Sequence, residues 1–549
     1  MDNLKLAEIL FPNLSLTVDD IEAKYPQRQL ASGAMVTRLA PSPTGFIHLG
    51  NLYGAYADMK LANQSGGVFY LRIEDTDEKR EVPGAVEEII NGLKYFGVDF
   101  DEGALIDGEK GAYGPYRQSA RKELYQVYAR ELVKKGLAYP CFCTEEDLAE
   151  IRNQQEAQKE QTGYYGKWAR DRFLTMEQIE KNLAEGKPWV LRFKAMVQDG
   201  ETVGLVDGIR GPLVLPANNM DFVVLKATGL PTYHFAHVVD DHLMGTTHLL
   251  RGEEWLSTLP MHLALFAAMG WEHPLYCHTA HLMKKEGEGR RKLSKRKDPE
   301  LGLNYYRSLG YHPLAVKEYL LTILNSNYEE WRLEHPTAAD SEFEFTVDKM
   351  GRSGALFDLE KLNDISQTIF LQLTAEEIYE FVLTWAKEYD TAYAQILTDH
   401  ADMAKKAFDI GRSGDKPRKD LVYGAQIAKF SAYIFPETFE ITDSYPAEVS
   451  KEDCVTILRE YLQGYVYEDD NDAWFGKVRL LAQELGYAAK PKDFKKNPDQ
   501  YKGHVGHVSG VIRIALTGRT NSPDLWEVQQ ILGVEEVARR INNAIAALN

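Results

Sequence analysis

The residues best suited to chemistry stand in a proline-stiffened loop between Thr37 and Asn51. Pro41 and Pro43 each fix a backbone φ angle and remove an N–H donor, which restricts the shape of the loop. The loop leads into the start of a helix, where free N–H groups favour an anion such as a phosphate. His48 lies at that point, suited to donate to phosphoryl oxygens. A single His is more often a buried core residue, but the surrounding loop favours the phosphate interpretation.

Two further clusters carry charge. The acidic run Arg72-Ile-Glu-Asp-Thr-Asp77 follows an apolar stretch, and the basic run Arg290-Arg-Lys-Leu-Ser-Lys-Arg-Lys297 follows a glycine-containing loop. A solvated turn would explain the first, and a solvated loop or a nuclear signal would explain the second. At the end of a strand, however, a carboxylate can bind the ammonium group of an amino acid. A mobile loop can likewise deliver lysines to the oxyanions that develop on a triphosphate.

These clusters are expected to be positioned by an alternation of strands and helices that begins near Met35. Val36–Leu39 and Val68–Ile73 have the pattern of short strands, and Gly50–Gln64 has apolar residues at helical spacing. A second helical pattern follows Pro83. The β-α-β-α order predicts an α/β fold with a doubly wound, Rossmann-type parallel sheet, in which ligands bind beyond the carboxyl ends of the strands.

The rhythm of strands and helices then breaks and returns, which predicts several domains. We expect an N-terminal extension, a first half of the sheet, an inserted domain, a second half of the sheet, a region that contains the basic run, and a helical C-terminal domain. The predicted boundaries are 1–34, 35–112, 113–226, 227–275, 276–366 and 367–549.

Composition excludes several classes of protein. The chain has 549 residues, 44% of them hydrophobic and 26% charged, which is typical of an ordinary globular protein. No apolar run is long enough to span a bilayer, and residues 1–34 lack a signal-peptide pattern, so we expect a cytoplasmic protein. The net charge of −19 argues against nonspecific nucleic-acid binding. It leaves room for a local basic surface that contacts RNA.

The pair Cys141-Phe-Cys143 could form half of a zinc site. No other Cys or His follows before Tyr233, and a tetrahedral structural site needs four ligands. The sequence therefore predicts no zinc and no other metal ligand in the protein. Alternation instead predicts that both cysteines are half-buried strand residues.

The first loop resembles the His-Ile-Gly-His box of class I aminoacyl-tRNA synthetases. Its wider form, Arg38-Leu-Ala-Pro-Ser-Pro-Thr-Gly45, is similar to the glutamyl branch of that family. Asn51 stands where the general class has His. Lys292-Leu-Ser-Lys-Arg296 resembles the second class I signature, and the segment from Tyr233 to Trp255 resembles the second half of the glutamyl active site.

The resemblance implies functions for the predicted domains. Residues 35–112 and 227–275 would be the two halves of the catalytic domain, and 113–226 would contact the acceptor end of tRNA. Residues 276–366 would hold the signature loop and a stem-contact region, and 367–549 would bind the anticodon.

The resemblance also implies three sets of site residues. Glutamate would be held by Arg38, Ala40, Ser42, Glu74, Tyr233, His237 and Arg251. ATP would be bound by Thr44, His48, Asn51, Glu254, Trp255 and Lys295. The catalytic residues would be His48, Lys295 and, as second choice, Lys292.

Within these sets, Arg251 would pair with the side-chain carboxylate of glutamate, because a guanidinium binds a carboxylate bidentately. That contact would discriminate against glutamine. His237 stands where the family commonly has Asn, which is a departure within the substrate pocket. Trp255 offers a stacking surface near the adenosine.

The implied activity is that of a glutamate–tRNA ligase, a monomer that uses ATP with Mg²⁺ and acts on L-glutamate and tRNA-Glu. The sequence leaves open whether tRNA-Gln is also a substrate. The glutaminyl relatives usually have another motif at Pro41–Gly45 and a β-barrel body after the second signature. A tRNA-modifying paralogue would lack the long chain beyond Gln367, and a small-molecule nucleotidyltransferase would leave the insert unexplained. A non-catalytic RNA-binding relative would be expected to lose His48, Glu74 or Lys295, and all are present.

Overall fold

The computed structural model describes residues 2–77, 79–197, 200–294, 296–413 and 416–549. These residues form two compact units. The first comprises Met1–Asn304 and Lys317–Asp358, and the second comprises Tyr305–Val316 and Leu359–Asn549. No helix in the described ranges is both long and apolar enough to cross a membrane.

The strands all lie in the first unit. They are β1 Val36–Leu39, β2 Val68–Leu71, β3 Glu102–Ala104, β4 Glu109–Lys110, β5 Ala138–Cys141, β6 Val190–Phe193, β7 Thr202–Asp207, β8 Gly211–Pro216, β9 Val223–Leu225, β10 His248–Gly252, β11 Leu275–Thr279, β12 Leu282–Glu286, β13 Gly289–Lys292 and β14 Ala355–Leu356.

The first helices of the chain accompany these strands. They are α1 Asn3–Leu10, α2 Val18–Lys24, α3 Leu49–Ser65, α4 Ala85–Tyr95, α5 Lys122–Lys134, α6 Glu145–Ala157, α7 Met176–Ala184, α8 Tyr233–Leu243, α9 Leu259–Met269, α10 Leu303–Leu309, α11 Pro313–Leu324 and α12 Tyr328–Glu334. The division between the units falls within α10 and α11.

The remaining helices build the second unit. They are α13 Leu359–Gln372, α14 Ala375–Tyr389, α15 Thr391–Asp399, α16 Ala401–Asp409, α17 Gly424–Ser431, α18 Lys451–Gly464, α19 Asn471–Glu484, α20 Pro491–Lys496, α21 Val505–Thr517 and α22 Leu525–Leu548.

Two separate stretches of the chain contribute parallel strands to the first unit. Strands β1, β2 and β3 are parallel neighbours in that order, with β4 antiparallel at the edge. Strands β10 and β11 form a second parallel pair. The two parts meet at β1, where the Thr247 N–H donates to the carbonyl of Val36 at 3.0 Å. The carboxyl ends of β1, β2 and β10 thus lie near one another.

Helix α3 connects β1 to β2 and directs its N-terminus toward the strand ends. Gly66 ends the helix in the left-handed conformation, with φ of 65°. Gly67 then passes against the preceding strand so closely that a Cβ would lie 1.9 Å from the Met35 carbonyl oxygen. Only glycine permits this tight return, which lets β2 begin directly after α3 and pair with β1.

The region between the two halves has its own sheet, formed by β5, β6 and β9, and a separate hairpin of β7 and β8. The prediction that both cysteines are half-buried strand residues is wrong. Cys141 is the last residue of β5 and is fully buried, whereas Cys143 lies beyond the strand. The alternation failed because β5 ends before Cys143 and is covered on both faces.

Residues before β1 pack on the body of the first unit. Helix α1 lies against α5, and Arg130 of α5 donates to the carbonyls of Leu14 and Leu16. Arg28 forms a bidentate pair with Glu102, at 2.9 and 2.8 Å. The segment before β1 therefore contacts both α5, the helix that opens the insert, and β3 of the parallel sheet.

The second unit is helical around one apolar core, which includes Trp385, Phe435 and Leu516. Ser522 precedes the last long helix but does not cap it. Asp524 is the N-cap of α22, and its carboxylate accepts from the Glu527 N–H at 3.0 Å. Aspartate three positions before a free N–H satisfies that donor directly.

Arg540 is a buried residue that joins several segments of the second unit by hydrogen bonds. It is fully buried, and its guanidinium donates to the carbonyls of Tyr433, Leu516 and Ile434 at 2.5, 2.7 and 3.1 Å. Arg540→Met should lower the free energy of unfolding by about 3 kcal/mol, because three buried carbonyls lose a charged donor. Urea unfolding of the full chain measures this change.

The neighbouring Arg539 supplies a matched control. It is exposed, and within the described ranges its single ion pair is with Glu536, at 2.6 Å. Arg539→Met should change the free energy of unfolding by less than about 1 kcal/mol, because surface ion pairs contribute little. Equal losses in the two variants would contradict the role given to Arg540.

Candidate active site

A cavity of about 550 Å³ opens at the carboxyl ends of β1 and β10. It brings together ten of the site residues expected from the sequence, namely Arg38, Ala40, His48, Asn51, Glu74, Tyr233, Arg251, Glu254, Trp255 and Lys292. Ser42 and Thr44 are exposed on the loop after β1 and do not line it. Lys295 lies outside the described residues, so its predicted role stays a prediction.

The start of α3 forms one wall of the cavity. His48 precedes the helix in an extended conformation, and its backbone N–H donates to Asn51 Oδ1 at 3.1 Å. The side chain of Asn51, the third residue of the helix, therefore satisfies the backbone N–H of the N-cap residue His48. A Cβ on Gly50 would lie 3.1 Å from the His48 ring, so glycine leaves that ring its space. The arrangement presents an imidazole and helix N–H groups on the same side of the cavity, which suits an anion.

Charged side chains from the ends of β1 and β2 and from helix α8 meet at the base of the cavity. Arg72 is fully buried and bonds Glu74 Oε1 at 3.1 Å and Asp241 Oδ1 at 2.7 Å. Arg38 Nε lies 3.6 Å from the same Asp241 oxygen. Burial raises the pKa of Glu74 above its ordinary value, although Arg72 and Arg38 act in the opposite direction. Glu74 is thus a carboxylate held in place by Arg72 with one side toward the cavity.

The neighbouring carboxylate of the acidic run serves the fold instead. Asp75 accepts from the N–H of Ser119 at 2.8 Å and from its hydroxyl at 2.7 Å. Ser119 therefore does not cap the helix that follows it. A short 3-10 turn, Gln118–Arg121, comes first, and α5 begins at Lys122.

Arg251 is the penultimate residue of β10, and its side chain lines the cavity. The side chain is 8% exposed and donates from Nε to His278 and from Nη1 to His262, at 3.0 and 3.2 Å. Among the described residues, none accepts a hydrogen bond from its buried Nη2. A buried charged donor of this kind is costly unless a ligand satisfies it.

Aromatic side chains flank this arginine. The rings of Tyr233 and Trp255 lie 4.4 Å apart on the cavity wall. His237 stacks behind Tyr233 at 5.8 Å, is fully buried, and does not line the cavity. Its Nδ1 lies 2.5 Å from Asp241 Oδ2, and burial lowers its pKa to about 4. The structure thus places His237 behind Tyr233, which lines the cavity. The predicted contact between His237 and substrate stays a prediction.

The β12–β13 hairpin brings Lys292 to the opposite rim of the cavity. Lys292 Nζ lies 3.2 Å from Nε2 of His281, which also lines the cavity. Arg291 anchors the end of the hairpin through two bonds to Asp298, at 2.5 and 2.7 Å. Asp298 has a pKa held below its ordinary value chiefly by Arg291. The basic run is therefore a fixed hairpin edge up to Lys292 and Leu293.

The sequence did not indicate some of the residues that form the cavity. Asp58 lines it from within α3, and burial raises the pKa of this carboxyl well above its ordinary value. A carboxylate on the apolar face of a helical pattern was the available signal. His281 also lines the cavity, and His278 lies behind it against Arg251. Neither carried such a signal, because their partners come from other segments, namely Lys292, Glu254, Asp207 and Arg251.

One group of potential metal ligands occurs in the described part of the chain. Sγ of Cys141, Sγ of Cys143 and an oxygen of Asp171 all lie within 4.8 Å of one another. The hydroxyl of Tyr164 bonds both thiols, at 3.5 and 3.4 Å. Three ligands are one fewer than a tetrahedral zinc site uses. The expected absence of zinc stays a prediction.

Comparison with protein families adds evidence of a different kind. The family described as "tRNA synthetases class I (E and Q), catalytic domain" matches residues 34–364. The chain belongs to this family. It is a class I aminoacyl-tRNA synthetase, and the predicted family and fold class are confirmed. The family described as "Anticodon binding domain" matches residues 492–545 of this synthetase. Class I synthetases use ATP, generally with Mg²⁺.

Individual relatives agree over the whole synthetase chain. A glutamate–tRNA ligase from Acetivibrio thermocellus is 58% identical over 99% of this chain and all of its own length. One from Clostridium beijerinckii is 46% identical over 98% of both chains. The crystal structure of a glutamate tRNA ligase from Elizabethkingia meningosepticum, in complex with its amino acid, matches with a TM-score of 0.74. It is 29% identical and covers 94% of this chain and 100% of its own.

Proposed function

We propose that the chain is a glutamate–tRNA ligase that activates L-glutamate with ATP and transfers it to the 3′ end of tRNA-Glu. The observation that carries this proposal is Arg251, a buried guanidinium at the cavity base whose Nη2 has no acceptor among the described residues. A substrate carboxylate would supply that acceptor, and an uncharged amide would not balance the charge. The full-length similarity to glutamate–tRNA ligases supports the same substrate.

In this proposal the cavity has a glutamate end and a nucleotide end. At the glutamate end, Arg251 would hold the side-chain carboxylate while Glu74 binds the α-ammonium group. Tyr233 would close the space between them, and Arg38 would help to hold the substrate. At the nucleotide end, Trp255 would stack near the adenine, and His48 and Lys292 would face the phosphates.

The chemistry needs no protein nucleophile. The α-carboxylate of glutamate attacks the α-phosphorus of ATP. The bond from that phosphorus to the oxygen that bridges the α- and β-phosphates breaks, and glutamyl-adenylate and pyrophosphate form. A hydroxyl of the terminal tRNA ribose then attacks the acyl carbon and releases AMP. Catalysis comes from placing the reactants and from neutralising charge on the phosphates. Mg²⁺ would accompany ATP as part of the substrate.

Several further assignments belong to the same proposal. The insert would contact the acceptor end of tRNA, and the helical second unit would contain the anticodon-binding region. The predicted domain boundaries, the monomeric state and the absence of zinc remain predictions. Because tRNA charging supplies ribosomes, we also infer that the protein acts in the cytoplasm.

Aminoacylation with labelled glutamate and, separately, glutamine tests the function on purified tRNA-Glu and tRNA-Gln transcripts. We expect glutamate transfer to tRNA-Glu. Additional transfer of glutamate to tRNA-Gln would show the broader specificity that the sequence left open. Glutamine transfer, or no transfer with either amino acid, would overturn the proposal.

The raised pKa of Glu74 predicts the pH dependence of glutamate use. As pH falls, this carboxyl gains a proton at a higher pH than an ordinary Glu, and the neutral form no longer pairs with an ammonium group. As the pH is lowered, we therefore expect kcat/KM for glutamate to fall at a higher pH than the titration of an ordinary Glu would give. KM for ATP should change little over the same range. Initial rates of tRNA-dependent charging measured across pH give this profile.

Glu74→Gln provides the control for that profile. The amide does not titrate, so the acid limb should move down toward the pKa of the substrate's own carboxyl. The variant should also lose about 100-fold in kcat/KM for glutamate, since an ion pair in the cavity is replaced by a neutral contact. An acid limb at the same pH in both enzymes would assign the titration to another group.

A further inference from the structure

A hairpin of the insert reaches the base of the cavity. Asp207 is the last residue of β7 and is 1% exposed. Its Oδ1 accepts from the backbone N–H groups of Ile209 and Arg210 at 3.0 and 2.9 Å. The same oxygen lies 3.3 Å from the backbone nitrogen of His278 in β11. The carboxylate therefore closes the hairpin turn and fastens it to the catalytic sheet.

The second oxygen of Asp207 determines the protonation of a histidine ring. Oδ2 lies 2.6 Å from His278 Nδ1. A carboxylate accepts, so Nδ1 must carry the proton, and Nε2 is left as an acceptor. Nε2 receives the Nε–H of Arg251 at 3.0 Å. Burial lowers the pKa of His278, which keeps the ring neutral.

The other side of the guanidinium is held in the same manner. Arg251 Nη1 lies 3.2 Å from His262 Nδ1, and because a guanidinium only donates, Nδ1 is the acceptor. The proton of His262 is then on Nε2, which lies 2.9 Å from Nδ1 of His234. Burial lowers the pKa of His262 well below its ordinary value, so this ring is neutral as well.

Neutral acceptors matter for an arginine that must bind an anion. In the part of the chain that the structure describes, no carboxylate forms an ion pair with Arg251, and its two hydrogen-bonding partners are imidazoles. A carboxylate partner would hold the guanidinium but would also cancel its charge. Imidazole acceptors hold the group in place and leave its positive charge for the ligand.

We propose that Asp207 and His278 are positioning residues for Arg251, so that a hairpin of the insert sets how tightly the substrate carboxylate is held. Asp207 fixes the ring tautomer of His278, and that tautomer presents the acceptor that orients the guanidinium. Arg251 and His278 are partners in the parallel register of β10 and β11, so a change at Asp207 reaches Arg251 through one ring. The inference rests on the substrate role proposed for Arg251.

Asp207→Asn is the most direct test. The backbone N–H groups around Oδ1 keep the amide oxygen at that position, so the amide NH₂ must face His278 Nδ1. The His278 ring would then carry its proton on Nε2. Two N–H donors, from His278 Nε2 and Arg251 Nε, would face each other, and the hydrogen bond between them would be lost. We expect KM for glutamate to rise about tenfold, while KM for ATP stays within about twofold, in charging assays with tRNA present.

Two substitutions at His278 separate positioning from packing. His278→Gln can turn an amide oxygen toward Arg251 and so retains an acceptor, whereas His278→Leu fills the space without one. We expect His278→Gln to keep KM for glutamate within about threefold of the wild type and His278→Leu to raise it about tenfold. Equal KM values for glutamate in the two variants would overturn the proposal, whether or not Asp207→Asn folds.

The double variant completes the test. When Gln replaces His278, the acceptor no longer depends on a ring tautomer, so adding Asp207→Asn should cause no further rise in KM for glutamate. Arg210→Gln is the control for hairpin docking, because Arg210 ties the hairpin to Glu253 at 2.6 Å and to the backbone carbonyl of His278 at 3.2 Å but forms no hydrogen bond with the His278 ring among the described residues. A tenfold rise in KM for glutamate in Arg210→Gln would reduce Asp207 to a docking contact and overturn the proposal.

These outcomes are distinct from failure of the proposed function. If glutamate is not the substrate, the wild-type protein will charge no tRNA with it, and that result precedes any variant. If the wild type charges tRNA and Asp207→Asn has an unchanged KM for glutamate, the positioning role fails while the function stands.

Discussion

Arg251→Ala should lower kcat/KM for glutamate by about 1000-fold in tRNA-dependent charging, with little change in KM for ATP. The guanidinium is 8% exposed, and in the proposed complex its Nη2 meets the substrate carboxylate where water is excluded. Removing one partner of such a buried pair costs about 4 kcal/mol, because the other charge is left without compensation. The loss should therefore be confined to the amino-acid end of the cavity.

Arg251→Lys sharpens the interpretation. Lysine keeps the charge but lacks the planar fork that His278 and His262 hold from two sides. We expect it to recover only part of the activity, about tenfold above the alanine variant. A parallel loss in the affinities for ATP and glutamate in Arg251→Ala would remove Arg251 from its proposed role.

His48→Asn should slow formation of glutamyl-adenylate by about 100- to 1000-fold, with KM for glutamate nearly unchanged. The imidazole lines the cavity at the start of α3. There it would donate to phosphoryl oxygens that gain charge in the transition state, and loss of one such donor has an effect of this size. Pyrophosphate exchange in the presence of tRNA measures the step directly.

The choice of asparagine separates catalysis from helix stability. Asn is a good N-cap residue, so α3 should begin at the same place in this variant. His48→Ala lacks both the imidazole and a capping side chain, and the two variants should be equally slow if the imidazole is what matters. Near wild-type exchange by His48→Asn would contradict the phosphate role of His48.

Local sequence patterns predicted the elements well where one segment supplied all the needed information. The strand at Val36–Leu39 and the helix after the His48 loop follow from apolar periodicity and glycine positions, and both are present. Caps were less predictable. Ser522 and Ser119 are both of a residue type that commonly caps helices. Instead, Asp524 caps α22, and Ser119 donates to Asp75. Capping depends on which acceptor reaches the free N–H groups, and that choice is made by tertiary packing.

The sequence by itself determined the fold class, the family, and ten residues that line one cavity, because these are encoded in contiguous motifs at strand ends. Tertiary structure alone decided how those residues are held. His237 lies beneath Tyr233 and not at the cavity surface, and Asp58 forms part of the cavity wall. Asp207 reached Arg251 through His278 although the three belong to segments far apart in the chain. Motifs record which groups meet the ligand, whereas the hydrogen-bond partners that set their tautomer, charge and orientation come together only when distant strands pack.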